Sequence, residues 1–268
     1  ITFFDTSNTY GATQSEVLLG RALGNRRSHV HIAPKFGMGL DDNFPDIRWS
    51  AAPDYVASAC EASLQRLGTD YIDLYQLHFP DATTPLEDTI AALHDLVSAG
   101  KIREFGCSNF DAERLRAARE AARGGRGFVS VQNQYSLLAR EPETGVLEAC
   151  DQLGIGLLPY YPLANGLLTD KFVPGQPPVS GSRLDKMPEN RREHWLGDDM
   201  VKRASAIHDY AKDIDVPVLT LAFSWLLSRP QVSSVIAGAS NADQVAANVR
   251  AATMLSRDVV DALDRLTN

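Results

Sequence analysis

The chain has 268 residues, 44% of them hydrophobic, and a net charge of −8; at this length about three quarters of the unfolded surface can be buried, so one large core is feasible. Lys and Arg are scattered, which argues against nucleic acid or an anionic membrane as a partner, and no apolar run approaches the ~20 residues of a membrane span. Cys60, Cys107 and Cys150 are widely spaced with no CxxC pair, and read as reduced thiols of a cytoplasmic protein, not a disulfide frame or a zinc site.

Strand-like and helix-like segments alternate. Ile1-Thr2-Phe3-Phe4 is an apolar strand running out at Asp5, with Tyr10 in the loop beyond. Thr13-Gln14-Ser15-Glu16 has the form of a capping box and opens a helix with Val17, Leu18, Arg21 and Leu23. Strand 29–34 leads to Lys35. Pro53 starts a helix with Val56, Cys60, Leu64 and Leu67 on one face, closed by Gly68. Strand 71–77 leads to His78. Thr84-Pro85-Leu86-Glu87 combines a capping box with an N1 proline before the apolar positions Ile90, Leu93, Leu96 and Val97. Strand 102–107 and a helix over about 111–122 follow, then strand 128–132, a helix near 144–153 and strand 155–160. A polar stretch with Pro and Gly, 162–198, is too long for a plain connector and reads as a functional loop. Helices near 199–213 and 217–228, strand 232–237, and helices near 241–250 and 256–266 close the chain.

Strands separated by helical crossovers give a parallel sheet, and short, apolar, unalternating strands are what a sheet covered on both faces requires. Seven such strands suggest a (β/α)₈ barrel or a doubly wound sheet. Polar residues mark nearly every strand exit: Asp5, Lys35, His78, Ser108-Asn109, Gln132 and Tyr160. Barrels draw their chemistry from the C-terminal ends of several strands, whereas a doubly wound sheet uses one switch point and a Gly-rich first turn, and no GxGxxG follows any strand. The expected fold is therefore an α/β (β/α)₈ TIM barrel, as one domain over 1–268, with only seven of its eight strands readable.

Phe4-Asp5-Thr6-Ser7-Asn8-Thr9-Tyr10-Gly11, the Glu16…Gly20 after it, Pro34-Lys35 and Gln76-Leu77-His78 resemble the aldo-keto reductase superfamily. So do 100–110 (Gly-Lys-Ile-Arg-Glu-Phe-Gly-Cys-Ser-Asn-Phe), 160–169 and the segment from Gly238 to Asn248, in which the match is best to relatives of the potassium-channel β subunits. The resemblance implies a barrel that reduces a small-molecule aldehyde or ketone with NADPH, with Tyr10 as general acid and Lys35, Asp5 and His78 completing the catalytic set. The chemistry agrees. Hydride addition leaves negative charge on the carbonyl oxygen, which needs a proton; a phenol with a pKa of about 10 is a poor donor until a buried ammonium lowers it. Asp5 would keep Lys35 charged and aimed, and the His78 imidazole can hold the carbonyl oxygen. Singly, Asp5 could be a turn cap and Tyr10 or His78 a structural group; an interior Lys is seldom buried unpaired. In order and together, the functional reading prevails.

The resemblance also assigns Ser108, Asn109 and Gln132 to the nicotinamide carboxamide and stacks Tyr160 on its ring. The backbone of 161–167, with Tyr161, Pro162, Leu163 and Gly166, would run along the pyrophosphate, with Lys171 and Arg183 supplying positive charge. Gly238, Ser240, Gln244 and Asn248 would take the adenosine end, with the helix from about 241 pointing its N-terminus at a phosphate. Ala247 stands where an acidic residue is common, and Asp243 puts a carboxylate near the expected 2′-phosphate; NADPH/NADP+ is still the expected cofactor. Phe36, Phe44, Trp49 and Trp195 would wall the substrate pocket. His29 and His31 form an HxH pair at the start of their strand, away from the chemistry, so no metal is expected. The family places another strand and helix before Phe4-Asp5, so the numbered chain is expected to lack an N-terminal piece of the functional protein. Two competing functions are a nicotinamide-binding regulatory module with little turnover, and a Schiff-base enzyme using Lys35 as nucleophile.

Overall fold

The computed structural model describes residues 1–38 and 49–267. Phe44 therefore lies outside the described residues. The chain divides into two compact units: 1–132 with 145–156, and 133–144 with 157–268.

The first unit is built on parallel strands. In chain order it holds β1 (Phe3–Asp5), α1 (Gln14–Leu23), β2 (His31–Ala33), β3 (Lys35–Phe36), α2 (Pro53–Leu67), β4 (Ile72–Leu77), α3 (Leu86–Ser98), β5 (Ile102–Ser108), α4 (Ala112–Ala121), β6 (Ser130–Gln132), α5 (Val146–Leu153) and the start of β7 (Gly156–Leu157). β1 pairs with β2, and β3 opens the ordered run β3-β4-β5-β6-β7. The expected strand 29–34 is thus cut in two, and Pro34 is the reason: it has no N–H for a ladder. The pairing survives the cut, because Asn8 N donates to Lys35 O at 3.3 Å and Gln76 N to Pro34 O at 3.0 Å. Each of the six positions of β4 is buried, as a strand covered on both faces must be.

Helix ends depart from the sequence expectation at two places. Thr13 has φ 72° and gives no side-chain cap, and Glu16 instead reaches the Arg66 Nε at 2.6 Å as a buried ion pair. The chain enters α1 through three consecutive left-handed residues, Gly11, Ala12 and Thr13, a geometry no capping box uses. At α3, Pro85 itself is the N-cap, and the Thr84 hydroxyl donates to Asp81 at 2.7 Å. The α2 boundaries follow expectation: Pro53 sits in the first turn and Gly68 closes the helix at φ 63°. Gly20 lets α1 approach the end of α2, since a Cβ there would collide with the Leu67 carbonyl. All three cysteines are buried free thiols.

The second unit is mainly helical: α6 (Glu189–Trp195), α7 (Asp198–Asp213), α8 (Val218–Leu227), α9 (Ala242–Ala251) and α10 (Arg257–Thr267). α8 is apolar nearly all round and buries Leu221, Ala222, Trp225 and Leu226 at its centre, as an enclosed helix should. The Trp225 indole donates to Asp264 at 2.9 Å, and Arg140 and Arg229 lie over its ring. The expected strand 232–237 reduces to two parallel bridges, Leu157 with Val232 and Tyr160 with Ile236. Among the described residues no helix is long and apolar enough to cross a membrane.

Candidate active site

Parallel pairing in the first unit brings the strand exits into one cluster. Asp5 ends β1, Lys35 begins β3 opposite Gln76 of β4, and Ser108 ends β5 opposite Gln132 of β6. His78 follows β4 directly. Side chains alternate along a strand, so Lys35, Gln76 and His78 share one face.

Lys35 is the centre of this cluster. It is 1% exposed and its Nζ lies 2.5 and 2.7 Å from the two Asp5 carboxylate oxygens, with the Thr6 carbonyl at 3.2 Å. Burial pushes the ammonium pKa down from 10.5, and the Asp5 charge and hydrogen bonds oppose that shift. The Tyr10 ring, 42% exposed, lies 5.0 Å from the Lys35 Nζ and meets the His78 ring edge-on at 6.0 Å. A short turn holds Tyr10 in place: its N–H donates to the Ser7 carbonyl at 3.1 Å, and its carbonyl accepts from Ser15 N at 3.2 Å. Burial, with the Lys35 charge adding to it, lowers the His78 pKa from 6.5 to about 3, so the ring is neutral over the working range. Its Nδ1 lies 3.3 Å from the Ser7 hydroxyl, and its ring stacks on Phe79 at 5.1 Å.

The three residues assigned to the carboxamide also meet. The Ser108 hydroxyl donates to the Gln132 carbonyl at 2.7 Å, and the Asn109 side chain donates to Ser108 Oγ at 3.0 Å and to the His78 carbonyl at 2.9 Å. Asn109 has φ 63°, a left-handed conformation that Asn adopts more readily than most residues. Gln132 has a second engagement: its Nε2 donates to Asp5 Oδ2 at 2.8 Å.

Sequence reading missed Ser7, Gln76 and Phe79. Phe79 meets Trp49 edge-on at 5.0 Å and stacks on His78, forming an aromatic ledge beside the imidazole. Phe36, assigned to the pocket, is fully buried and stacks on Tyr75 at 4.4 Å. The pleat explains it: Phe36 follows Lys35, so its side chain points to the opposite face of the strand. His29 and His31 are exposed, and the His31 Nδ1 lies 3.5 Å from Asp73.

In the second unit, Tyr160 pairs with Gln134, and its ring meets Tyr161 edge-on at 5.0 Å. Tyr161, Ala164, Asn165 and Gly166 all have positive φ. The Arg183 guanidinium lies 5.1 Å over the Tyr161 ring, and a Cβ on Gly238 would stand 4.0 Å from Arg183 Nη2. Lys171 is exposed, Pro162 is buried and Leu163 is half-buried. Gln244 spends its side-chain oxygen on Ser240, at 2.8 Å to the N–H and 3.1 Å to the hydroxyl, while Asn241 caps α9. Asn248 is half-buried on α9, and Trp195 is buried in α6. Asn165 is only 8% exposed, yet neither polar atom of its amide has a hydrogen-bond partner. The Asn165 Nδ2, an orphaned donor inside a turn of positive-φ residues, fits a group with phosphate oxygens, because a buried donor is costly until an acceptor pairs with it.

The aldo/keto reductase family model matches residues 1–268. The chain belongs to the aldo/keto reductase family. It is 34% identical over 252 residues to a probable aldo-keto reductase 1 of Glycine max, covering 94% of this chain and 70% of that protein. It is also 30% identical, over 98% of its length and 82% of the relative's, to a probable voltage-gated potassium channel subunit beta of Oryza sativa subsp. japonica. A solved aldo-keto reductase from Bacillus halodurans, in its holo form, matches with a TM-score of 0.82 and 30% identity, covering 100% of this chain and 83% of its own. The fold is thus the (β/α)₈ barrel of that family, and the chain is an oxidoreductase of the carbonyl-reducing type, in a family whose members generally use NAD(P)H.

Proposed function

We propose that this chain reduces an aldehyde or ketone to an alcohol with NADPH, and that Tyr10 is the general acid. The observation that carries the reading is the fully buried Lys35, paired with Asp5 directly beneath the Tyr10 ring.

When bound, a reduced nicotinamide supplies a hydride to the carbonyl carbon. The carbonyl oxygen then carries the electron pair of the broken π bond, and Tyr10 donates its phenolic proton to it. Lys35 stabilises the phenolate left behind, since a nearby ammonium favours the charged phenol. Asp5 holds that ammonium in place and offsets the desolvation that would strip its proton. The neutral His78 donates a hydrogen bond to the same oxygen through Nε2 when Nδ1 accepts from Ser7. Tyr10 and His78 thereby approach the developing oxyanion from two sides.

In the first unit Ser108, Asn109 and Gln132 would hold the carboxamide. In the second unit the positive-φ turn, Asn165, Lys171 and Arg183 would hold phosphates, and the Arg183 guanidinium beside Gly238 supports NADPH over NADH. Trp49 and Phe79 favour a flat, apolar carbonyl compound. The test is oxidation of NADPH, with NADH alongside, across a panel of aldehydes and ketones. Turnover that is lost in Tyr10→Phe is expected. An enzyme that binds NADPH tightly and reduces nothing would instead support the alternative reading, a nicotinamide-binding regulatory module with little turnover.

A further inference from the structure

We infer that Gln76 is a positioning residue: its carboxamide ties Gln132 to the Asp5 carboxylate and decides which end of the Gln132 amide is left for a ligand. This rests on the reading of Gln132 as a carboxamide-holding residue.

Gln76 is fully buried one residue before the end of β4, a place where an amide needs partners for both its ends. Its Nε2 faces two acceptors, Asp5 Oδ2 at 3.2 Å and the Ala33 carbonyl at 3.1 Å. Asp5 is paired with an ammonium and only accepts, and a backbone carbonyl only accepts, so the nitrogen of Gln76 must point to them. Its Oε1 is thereby turned to Gln132, 3.2 Å from Nε2. Gln132 Nε2 has two protons. One goes to Asp5 Oδ2 at 2.8 Å and the other to Gln76. The atom of Gln132 that remains is Oε1, an acceptor.

The consequence is a polarity. A ligand with a primary carboxamide brings N–H donors to Oε1. A ligand with a carboxylate in the same place brings only acceptors and a negative charge. Gln76 therefore makes the site selective for the amide, and does so without touching the ligand. A carboxamide lodged against Gln132 is also joined, through Gln76 and directly, to the carboxylate that orients Lys35.

The experiment measures dissociation constants, by quenching of tryptophan fluorescence, for NADP+ and for its nicotinic-acid analogue. Wild type, Gln76→Met and Gln76→Glu are compared. Wild type is expected to prefer the amide by at least about tenfold, the scale of one well-placed hydrogen bond to a polar ligand. Gln76→Met frees the second Gln132 proton, and the preference should shrink by about fivefold. Gln76→Glu adds a test that simple packing cannot mimic. When protonated, the introduced carboxyl can still donate to Asp5 and accept from Gln132; when ionised, it sets two carboxylates together. The preference of this variant for the amide should therefore match wild type at low pH and widen as pH rises, since the ionised carboxylate still accepts from Gln132 and its charge disfavours a second carboxylate in the site. The charged or titratable groups around it are Asp5, its hydrogen-bond partner, Lys35, its register partner, and His78 two residues on, with Tyr10 against Lys35 and His78, and wild type measured over the same pH range subtracts their effect. Tight binding with the same preference in all three proteins, at every pH, overturns the inference and leaves the proposed function intact. Wild type that binds neither dinucleotide overturns both.

Discussion

The first unit sets two aspartates against basic residues, one near the start of a strand and one at the end of another, and they are built for different work. Asp73, near the start of β4, sits 2.8 Å from Arg27, 3.1 Å from Arg103 and 3.5 Å from His31, and accepts from Ile32 N at 3.0 Å. Arg27 and Arg103 lie against the Tyr71 ring, at 3.9 and 4.2 Å from its centroid. Asp5, at the end of β1, has one cation, Lys35, and two neutral amides. Guanidinium is always charged and spreads its donors over several acceptors, so the Asp73 cluster is a fixed brace. An ammonium on a flexible stem changes its pKa with burial, and Lys35 does so. In barrels the two ends divide along this line, stability at the N-terminal end of the strands and chemistry at the C-terminal end.

The largest effect should come at the Asp5 end. Tyr10→Phe removes the proton donor and should cut kcat by about 10²- to 10⁴-fold, the usual contribution of general acid catalysis, while NADP+ binding stays within about twofold. Steady-state kinetics with fluorescence titration checks both halves. Unchanged kcat in a folded variant would remove Tyr10 from its role and leave the two ends without the distinction.

At the other end, Asp73→Asn should cost stability and spare activity. Breaking a buried ion pair costs about 3–5 kcal/mol, and the half-exposed Arg103 places this case at or below the low end of that range. Urea denaturation measures the loss, and kcat per folded molecule should be unaltered. A variant as stable as wild type but slow would invert the comparison.

The pH dependence of stability sharpens it further. The folded His78 titrates at about 3, against the usual 6.5. Between those values the unfolded chain binds the extra proton, so stability rises with pH in that window and is lost as pH falls below about 6.5. Denaturation midpoints at several pH values should show a shallower acid loss in His78→Asn than in wild type.

The smallest effect belongs to Tyr71→Leu. It removes the ring shared by Arg27 and Arg103 and should cost about 1 kcal/mol, given the roughly 0.5–1 kcal/mol of a cation–π contact at a partly exposed site. A loss of activity with that change would mean that the brace reaches the chemistry.

Legibility followed range along the chain. Pro53 and Gly68 mark the ends of α2 because both signals act on their own backbone. The capping motif at Thr13 misled, because its Glu16 was claimed by Arg66, a pairing fifty positions away in sequence. Phe36 could have been excluded from the pocket by the alternation of side chains alone, once Lys35 was placed inside. Gln76 carried a signal that passed unread, a long amide within an apolar strand, which needs a buried partner.

The sequence by itself determined the order of polar residues at the strand exits and the family they mark, because apolar strands, helix ends and an interior lysine are local facts of composition. Only the tertiary structure decided what those residues do to one another. Asp5 meets Gln76 and Gln132 across separations of 71 and 127 positions. Such meetings depend on the register of parallel strands, where a shift of a single residue would turn every side chain to the other face.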